Sequence, residues 1–192
     1  MSTTGWGSSR RPWSRPPTDT GLVRRPAGGH DAGARFGADR LGDVLTIDRA
    51  TYDAIIAHAR RDHPDEACGV VAGPIGSDRP ARFIPMLNAA MSPTFYEFDS
   101  GDLLKLYREM DDNDEEPVVI YHSHTATEAY PSRTDINLAA EPGAHYVLVS
   151  TRDGADAEGT PIDFRSYRIS GGEVTEEEVQ VVERYTDSST PE

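Results

Sequence analysis

The four residues Val118–Tyr121 are an unbroken apolar run that passes directly into His122-Ser123-His124. A continuous apolar stretch of this length reads as a central strand covered on both faces. Side chains alternate along a strand, so residues two apart share a face. His122 and His124 therefore point to the same side at the strand's end, where both imidazoles can reach one metal ion. The chain must supply a sheet around this strand, cover for both faces, and any further ligand.

The flanking sequence supplies all three. Asp48 is placed to cap a helix over 49–62, in which Tyr52, Ile55, Ile56 and Ala59 form one apolar face. His63-Pro64 ends it, because the residue before proline is pushed out of the α region. Ala67–Ala72 reads as a buried strand stopped by Gly73-Pro74, Arg82–Leu87 as a second and Phe95–Phe98 as a short third. A helix over 101–112 carries Leu103, Leu106, Tyr107 and Met110 on one face. The acidic run Asp111–Glu116 reads as a solvated loop ending at Pro117. His145–Ser150, Phe164–Ile169 and Val174–Val182 complete a mixed sheet, with a third helix over 133–140. The expected fold class is α/β (α+β-like), a three-layer domain spanning residues 42–185 with a short C-terminal tail, 186–192.

Residues 1–40 do not share this pattern. They carry seven Arg against three Asp, a net of +4, while residues 41–192 carry 12 bases and 30 acids, a net of −18. Leu22, Val23 and Phe36 are too few to form a core, so a disordered basic tail rich in Pro, Gly and Arg is expected, bearing both Trp6 and Trp13. Such a start also resembles an organelle transit peptide, but no amphipathic period supports one. The acidic domain argues against nucleic acid as a partner. No apolar run approaches the ~20 residues of a membrane helix, and the start lacks the apolar core of a secretory signal. The single Cys68 excludes an internal disulfide framework and any multi-cysteine metal site, and suits a reducing, cytoplasmic setting.

Two His and one carboxylate, with a fourth position left for water, make a catalytic rather than a structural zinc site. Asp135 is placed to be that carboxylate, three residues after Ser132 at the start of the third helix. Ser-x-x-Asp is also a capping-box pattern. A zinc hydrolase further needs a base for the attacking water. Glu66 is the candidate, at the mouth of the strand Ala67–Ala72, where desolvation would raise its pKa.

Glu66, His122-Ser123-His124, seven residues, Ser132, two residues and Asp135 together resemble the JAMM motif of the MPN-domain metalloproteases, and the similarity extends over residues 44–185. The resemblance implies a curved mixed sheet between helices like that of the cytidine deaminases. It implies one Zn2+ per chain held by His122, His124, Asp135 and a water, with Glu66 as general acid/base and Ser132 helping to stabilise the oxyanion. Residues 58–70 and 123–132, with Thr125 where many relatives have Pro, are similar to a bacterial subgroup, the Mec type. That subgroup releases cysteine from the Gly-Gly C-terminus of a ubiquitin-like sulfur-carrier protein, CysO, in cysteine synthesis. A deconjugase of other ubiquitin-like proteins and a non-catalytic MPN scaffold are the alternatives.

Other chemistries fit less well. Cys68 with a histidine suggests a thiol peptidase, but a small buried residue on a strand is its plainer role. His58, His63 and His145 read as packed or solvated. A metallo-β-lactamase site wants Asp where Ala126 stands, a barrel amidohydrolase needs about 250 residues, and a zinc deaminase needs more cysteine. Two His and one carboxylate also hold Fe(II) in oxygenases, where a separate Glu66 has no part. Residues 88–99, with Pro93, Phe95 and Tyr96, are placed to wall a groove for the substrate tail; core packing is the other role open to Phe95 and Phe98.

Overall fold

A computed structural model describes residues 44–185. The tail expected over residues 1–40 and the segment 186–192 lie outside the described residues. Strands β1 (Val44–Asp48), β2 (Cys68–Pro74), β3 (Arg82–Met86), β4 (Glu115–His124), β5 (His145–Ser150), β6 (Asp163–Ser170) and β7 (Glu173–Val182) form one sheet. Its order is β1-β7-β6-β5-β4-β2-β3. The β1–β7 and β4–β5 pairs are parallel and the rest antiparallel, so the mixed sheet expected from the sequence is present. Helices α1 (Arg49–Asp62), α2 (Ser100–Asp112) and α3 (Arg133–Leu138) accompany it.

The sheet sorts side chains by parity. Val119 and Tyr121 of β4 join Val147 and Val149 of β5 in a core closed by Ile55 and Ala59 of α1. Ile120 falls on the other face with Tyr146 and Leu148. On that face Cys68, Val70 and Ala72 of β2 meet Leu106 and Met110 of α2. The central strand is thus covered on both sides, as its apolar run requires. A register shift opposite Val71 and Ala72 pairs Ala72 with Pro117 and Val71 with Val119, leaving Val118 as the extra residue of a bulge. Proline is tolerated there because no ladder hydrogen bond is asked of it. The bulge sets the phase of everything downstream, since a one-residue slip would turn both histidines to the α1 face.

Two expectations are corrected, and one strand is added. The acidic run is not one solvated loop: Asp111 and Asp112 end α2, Asn113 and Asp114 turn, and Glu115 and Glu116 already belong to β4. Asp114 turns at φ 53, a conformation Asp tolerates, and Glu115 is held by the Arg82 guanidinium at 2.6 Å, so pairing begins before Pro117. Phe95–Phe98 is not a strand; that segment makes only the isolated bridges Asn88–Phe98 and Ser92–Phe95. β1 has no counterpart in the sequence reading, although Leu45 and Ile47 are fully buried in alternation on a short edge strand.

β2 reaches β4 only because residue 69 has no side chain. A Cβ at Gly69 would meet the Tyr121 hydroxyl and, at 2.6 Å, the Ile84 carbonyl oxygen. Both neighbours are fixed in the sheet and cannot yield. Gly69→Ala is therefore expected to cost about 1–3 kcal/mol as overpacking, read as a lowered denaturant midpoint.

Candidate metal centre

β4 ends at His124, and its last residues alternate as predicted. His122 Nε2 and His124 Nε2 stand 3.2 Å apart. Asp135 Oδ2 lies 3.5 Å from the first and 3.4 Å from the second. Two ligands at about 2.0–2.1 Å from one ion, at a tetrahedral angle, are separated by about 3.3–3.4 Å. The three edges match that spacing, so the donor set fits a zinc ion. Among the described residues these are the one group of three or more His, Cys, Asp or Glu with ligand atoms close enough to share an ion.

Asp135 serves two structural demands at once. Ser132 caps α3 through its hydroxyl, which accepts from the Asp135 N–H at 3.2 Å, and Asp135 Oδ2 accepts from the Ser132 N–H at 2.6 Å. The capping box is complete. It fixes the carboxylate that faces the two imidazoles, so the capping and the ligand readings of Ser-x-x-Asp hold together. Burial works against ionisation of Asp135, but hydrogen bonds from His122, His124 and Ser132 hold its carboxyl well below the usual range.

The histidines are held differently. His124 Nδ1 lies 2.9 Å from the Glu128 carbonyl oxygen and 3.0 Å from Thr127 Oγ1. A proton on Nδ1, donated to that carbonyl, leaves the Nε2 lone pair for the centre. Burial opposes protonation of His124, yet the Asp135 carboxylate and the Glu128 carbonyl carry its pKa upward. Complete burial instead lowers the pKa of His122. Its Nδ1 is buried without a hydrogen-bond partner.

Glu66 is 6% exposed on the segment before β2. Both of its main-chain groups are tied to the loop after β3: its N–H donates to the Ser92 carbonyl and its carbonyl accepts from Asn88 Nδ2, each at 2.9 Å. From the other side Ser123, between the two histidines, accepts from the Ala67 N–H at 2.8 Å and donates its own N–H to the Ala67 carbonyl at 2.9 Å. Burial, with a further push from Asp135 and against a pull from His124, raises the Glu66 carboxyl to about 7. A folded-state pKa above the unfolded one means that the folded chain binds this proton more tightly, so the group costs stability as pH rises through the window 4.5 to 7. Metal-free Glu66→Gln is therefore expected to match the parent near pH 4.5 and to exceed it by about 2–3 kcal/mol at pH 8. Denaturant midpoints at the two pH values check this.

Glu66, His124, Ser132 and Asp135 line one cleft of about 160 Å³. Pro93, Thr94 and Phe95 form one wall and Thr125–Thr127 the other, with the Thr125 hydroxyl donating to the Pro93 carbonyl at 2.8 Å. The structure thus brings all five sequence candidates together, His122 lying just beneath the surface. The 88–99 segment divides: Phe95 is at the cleft, whereas Phe98 packs into the core. Asn88, 4% exposed, was not singled out by the sequence; besides Glu66 it donates to the Phe95 carbonyl and accepts from the N–H groups of Ala90 and Glu97. An Asn in a loop carries no signal until its four partners are known.

Cys68 stands opposite His122 in the β2–β4 ladder, and the other histidines have partners of their own. Burial raises the Cys68 thiol to about 12, which removes the thiolate a cysteine nucleophile needs. His58 is buried between the Tyr121 hydroxyl at 2.7 Å and Asp62 at 2.9 Å. His63 meets the Thr151 hydroxyl at 3.0 Å. His145 is fully buried and pairs with Glu177 at 2.6 Å.

Residues 48–170 match the family model described as prokaryotic homologs of the JAB domain. The chain belongs to this family. The JAMM/MPN resemblance of its Glu, His-Ser-His, Ser and Asp pattern is thereby accounted for. Among JAB-domain relatives, a CysO-cysteine peptidase of Mycobacterium tuberculosis (strain ATCC 25618 / H37Rv) is 68% identical over 142 residues, covering 74% of this chain and 94% of that protein. A desampylase of Haloferax volcanii is 32% identical over 132 residues, covering 66% and 95%. A solution structure of a Desulfitobacterium hafniense protein superposes with a TM-score of 0.61 at 31% identity, covering 73% of this chain and 94% of that one. No helix among the described residues is long and apolar enough to cross a membrane.

Proposed function

We propose that this chain is a zinc peptidase that hydrolyses the amide bond between the C-terminal Gly-Gly of a ubiquitin-like sulfur-carrier protein of the CysO type and cysteine, releasing cysteine for its biosynthesis in the cytoplasm. The observation that carries the reading is the buried Glu66 sharing one cleft with a converged His122, His124 and Asp135. The relative at 68% identity bears the name of this activity. The catalytic unit is assigned to residues 42–185, with 1–40 and 186–192 outside it.

His122, His124 and Asp135 would hold the ion. Bound there, zinc supplies a Lewis acid that polarises the scissile carbonyl and acidifies water. Glu66 then takes one proton from the attacking water. Its carboxyl, raised to about 7, accepts that proton and gives it up again near neutral pH. The water oxygen adds to the glycine carbonyl carbon, and the Ser132 hydroxyl stabilises the oxyanion by a hydrogen bond, keeping its proton. Ser132 Oγ already accepts from the Asp135 N–H, so its one proton is aimed away from the helix. Glu66 delivers its proton to the cysteine nitrogen as the C–N bond breaks, and the second water proton, left on the new carboxyl group, passes to solvent, leaving a glycine carboxylate and free cysteine. The walls at Pro93–Phe95 and Thr125–Thr127 hold the extended tail over the base.

The test is incubation with a ubiquitin-like carrier ending in Gly-Gly-Cys, followed by intact mass. Loss of one cysteine residue without chelator, and no loss with it, is the expected result. Faster cleavage of Gly-Gly conjugates on protein lysine would make the chain a deconjugase instead. Failure to cleave any Gly-Gly conjugate would contradict the peptidase reading altogether.

A further inference from the structure

The two histidines of the centre are held unequally. His124 has its Nδ1 fixed by a carbonyl and a hydroxyl. His122 has none of this, for its Nδ1 is buried and unpartnered. A ligating histidine normally has its second nitrogen hydrogen-bonded, because that bond fixes the ring and raises its basicity. Something else must hold the His122 ring.

The Tyr96 ring lies against it. The two centroids are 4.5 Å apart with planes 24° from parallel. Tyr96 is itself anchored: it packs against the cluster of Cys68, Val70 and Leu106, and meets the Phe98 ring edge-on at 5.5 Å. Tyr96 is therefore a fixed plate, and rotation of the His122 imidazole about its Cβ bond would drive the ring into it. The stack also favours the metal-loaded state. A bound cation withdraws charge from imidazole, and an electron-poor ring is drawn more strongly to the electron-rich face of a phenol.

We infer that Tyr96 is the positioning residue of His122, taking through ring stacking the part that the Glu128 carbonyl takes for His124. The inference rests on the zinc reading of the centre. It also makes the cleft wall part of the metal site, since Tyr96 directly follows Phe95, which lines the cleft.

The test is the zinc Kd of the full chain, measured by competition with a chromophoric chelator, for the parent, Tyr96→Phe and Tyr96→Leu. Tyr96→Phe keeps the ring and is expected to stay within about 3-fold of the parent. Tyr96→Leu keeps bulk but loses the stack, and is expected to bind at least about 10-fold more weakly, the size seen when the support of a ligand is removed. Melting temperatures of the metal-free proteins show whether Tyr96→Leu remains folded; if it does not, Tyr96→Met, whose flexible side chain fills irregular gaps, is read in its place. A parent that binds one zinc while the Leu or Met variant binds within 3-fold of it would overturn the inference. Equal weakening by Tyr96→Phe would also overturn it, since the hydroxyl and not the ring would then be at work. A parent that binds no zinc would instead contradict the metal reading itself.

Discussion

Glu66→Gln is expected to retain one zinc per chain and to slow cysteine release by about 10²–10⁴-fold, the range for loss of a positioned acid/base. Gln keeps the size of Glu66 and its main-chain anchoring, which comes from Asn88 and Ser92 rather than from the carboxylate. It removes the one group in the cleft that can take a proton from water and return it to the leaving nitrogen. The loss should fall on kcat, because proton transfer occurs in the transition state and not on binding. Intact-mass time courses with matched zinc content provide the readout. The same substitution is expected to stabilise the metal-free chain at pH 8, and denaturant midpoints of the variant separate a fold defect from lost chemistry. A variant that cleaves at the parental rate would remove Glu66 from the mechanism.

Asp135→Asn separates the two tasks of that residue. Its amide oxygen can still accept from the Ser132 N–H, so the start of α3 survives. The anionic ligand does not, and the expected result is loss of bound zinc together with activity at the level of chelator-treated parent. His122→Ala should lose the metal in the same way. Ser132→Ala is the complementary case: it keeps the carboxylate but deletes the cap, at a cost of about 1 kcal/mol. Zinc content by elemental analysis, read beside far-ultraviolet circular dichroism, distinguishes these outcomes. Full zinc occupancy in Asp135→Asn would exclude Asp135 as a ligand.

Much of the site was legible because its residues sit where periodicity is strong. The run Val118–Tyr121 is buried on both faces, so the direction of His122 and His124 follows from strand alternation alone. Ser132 and Asp135 carry a helix-start signal of fixed spacing. Glu66 was legible as a candidate by its place before a buried strand, but its approach to the centre depends on the bond from Asn88 to Glu66, 22 positions apart, and on the bonds between Ser123 and Ala67, 56 positions apart. Such tertiary hydrogen bonds leave no local pattern. The misreadings have the same origin. Glu115 and Glu116 look solvated until Arg82 of the edge strand is placed beside the first and the Gly76 N–H beside the second, and Phe95–Phe98 has strand composition but no neighbour to pair with along its length. The unequal support of the two histidines was not legible at all, because a stacked ring and an unpartnered nitrogen are facts of packing.

Crystals of the zinc-loaded chain, with diffraction recorded on both sides of the zinc absorption edge, test the central claim most directly. The account predicts a single anomalous peak bounded by His122 Nε2, His124 Nε2 and the Asp135 carboxylate, with Glu66 facing it. A peak at the His145–Glu177 pair, with none at the end of β4, would contradict it.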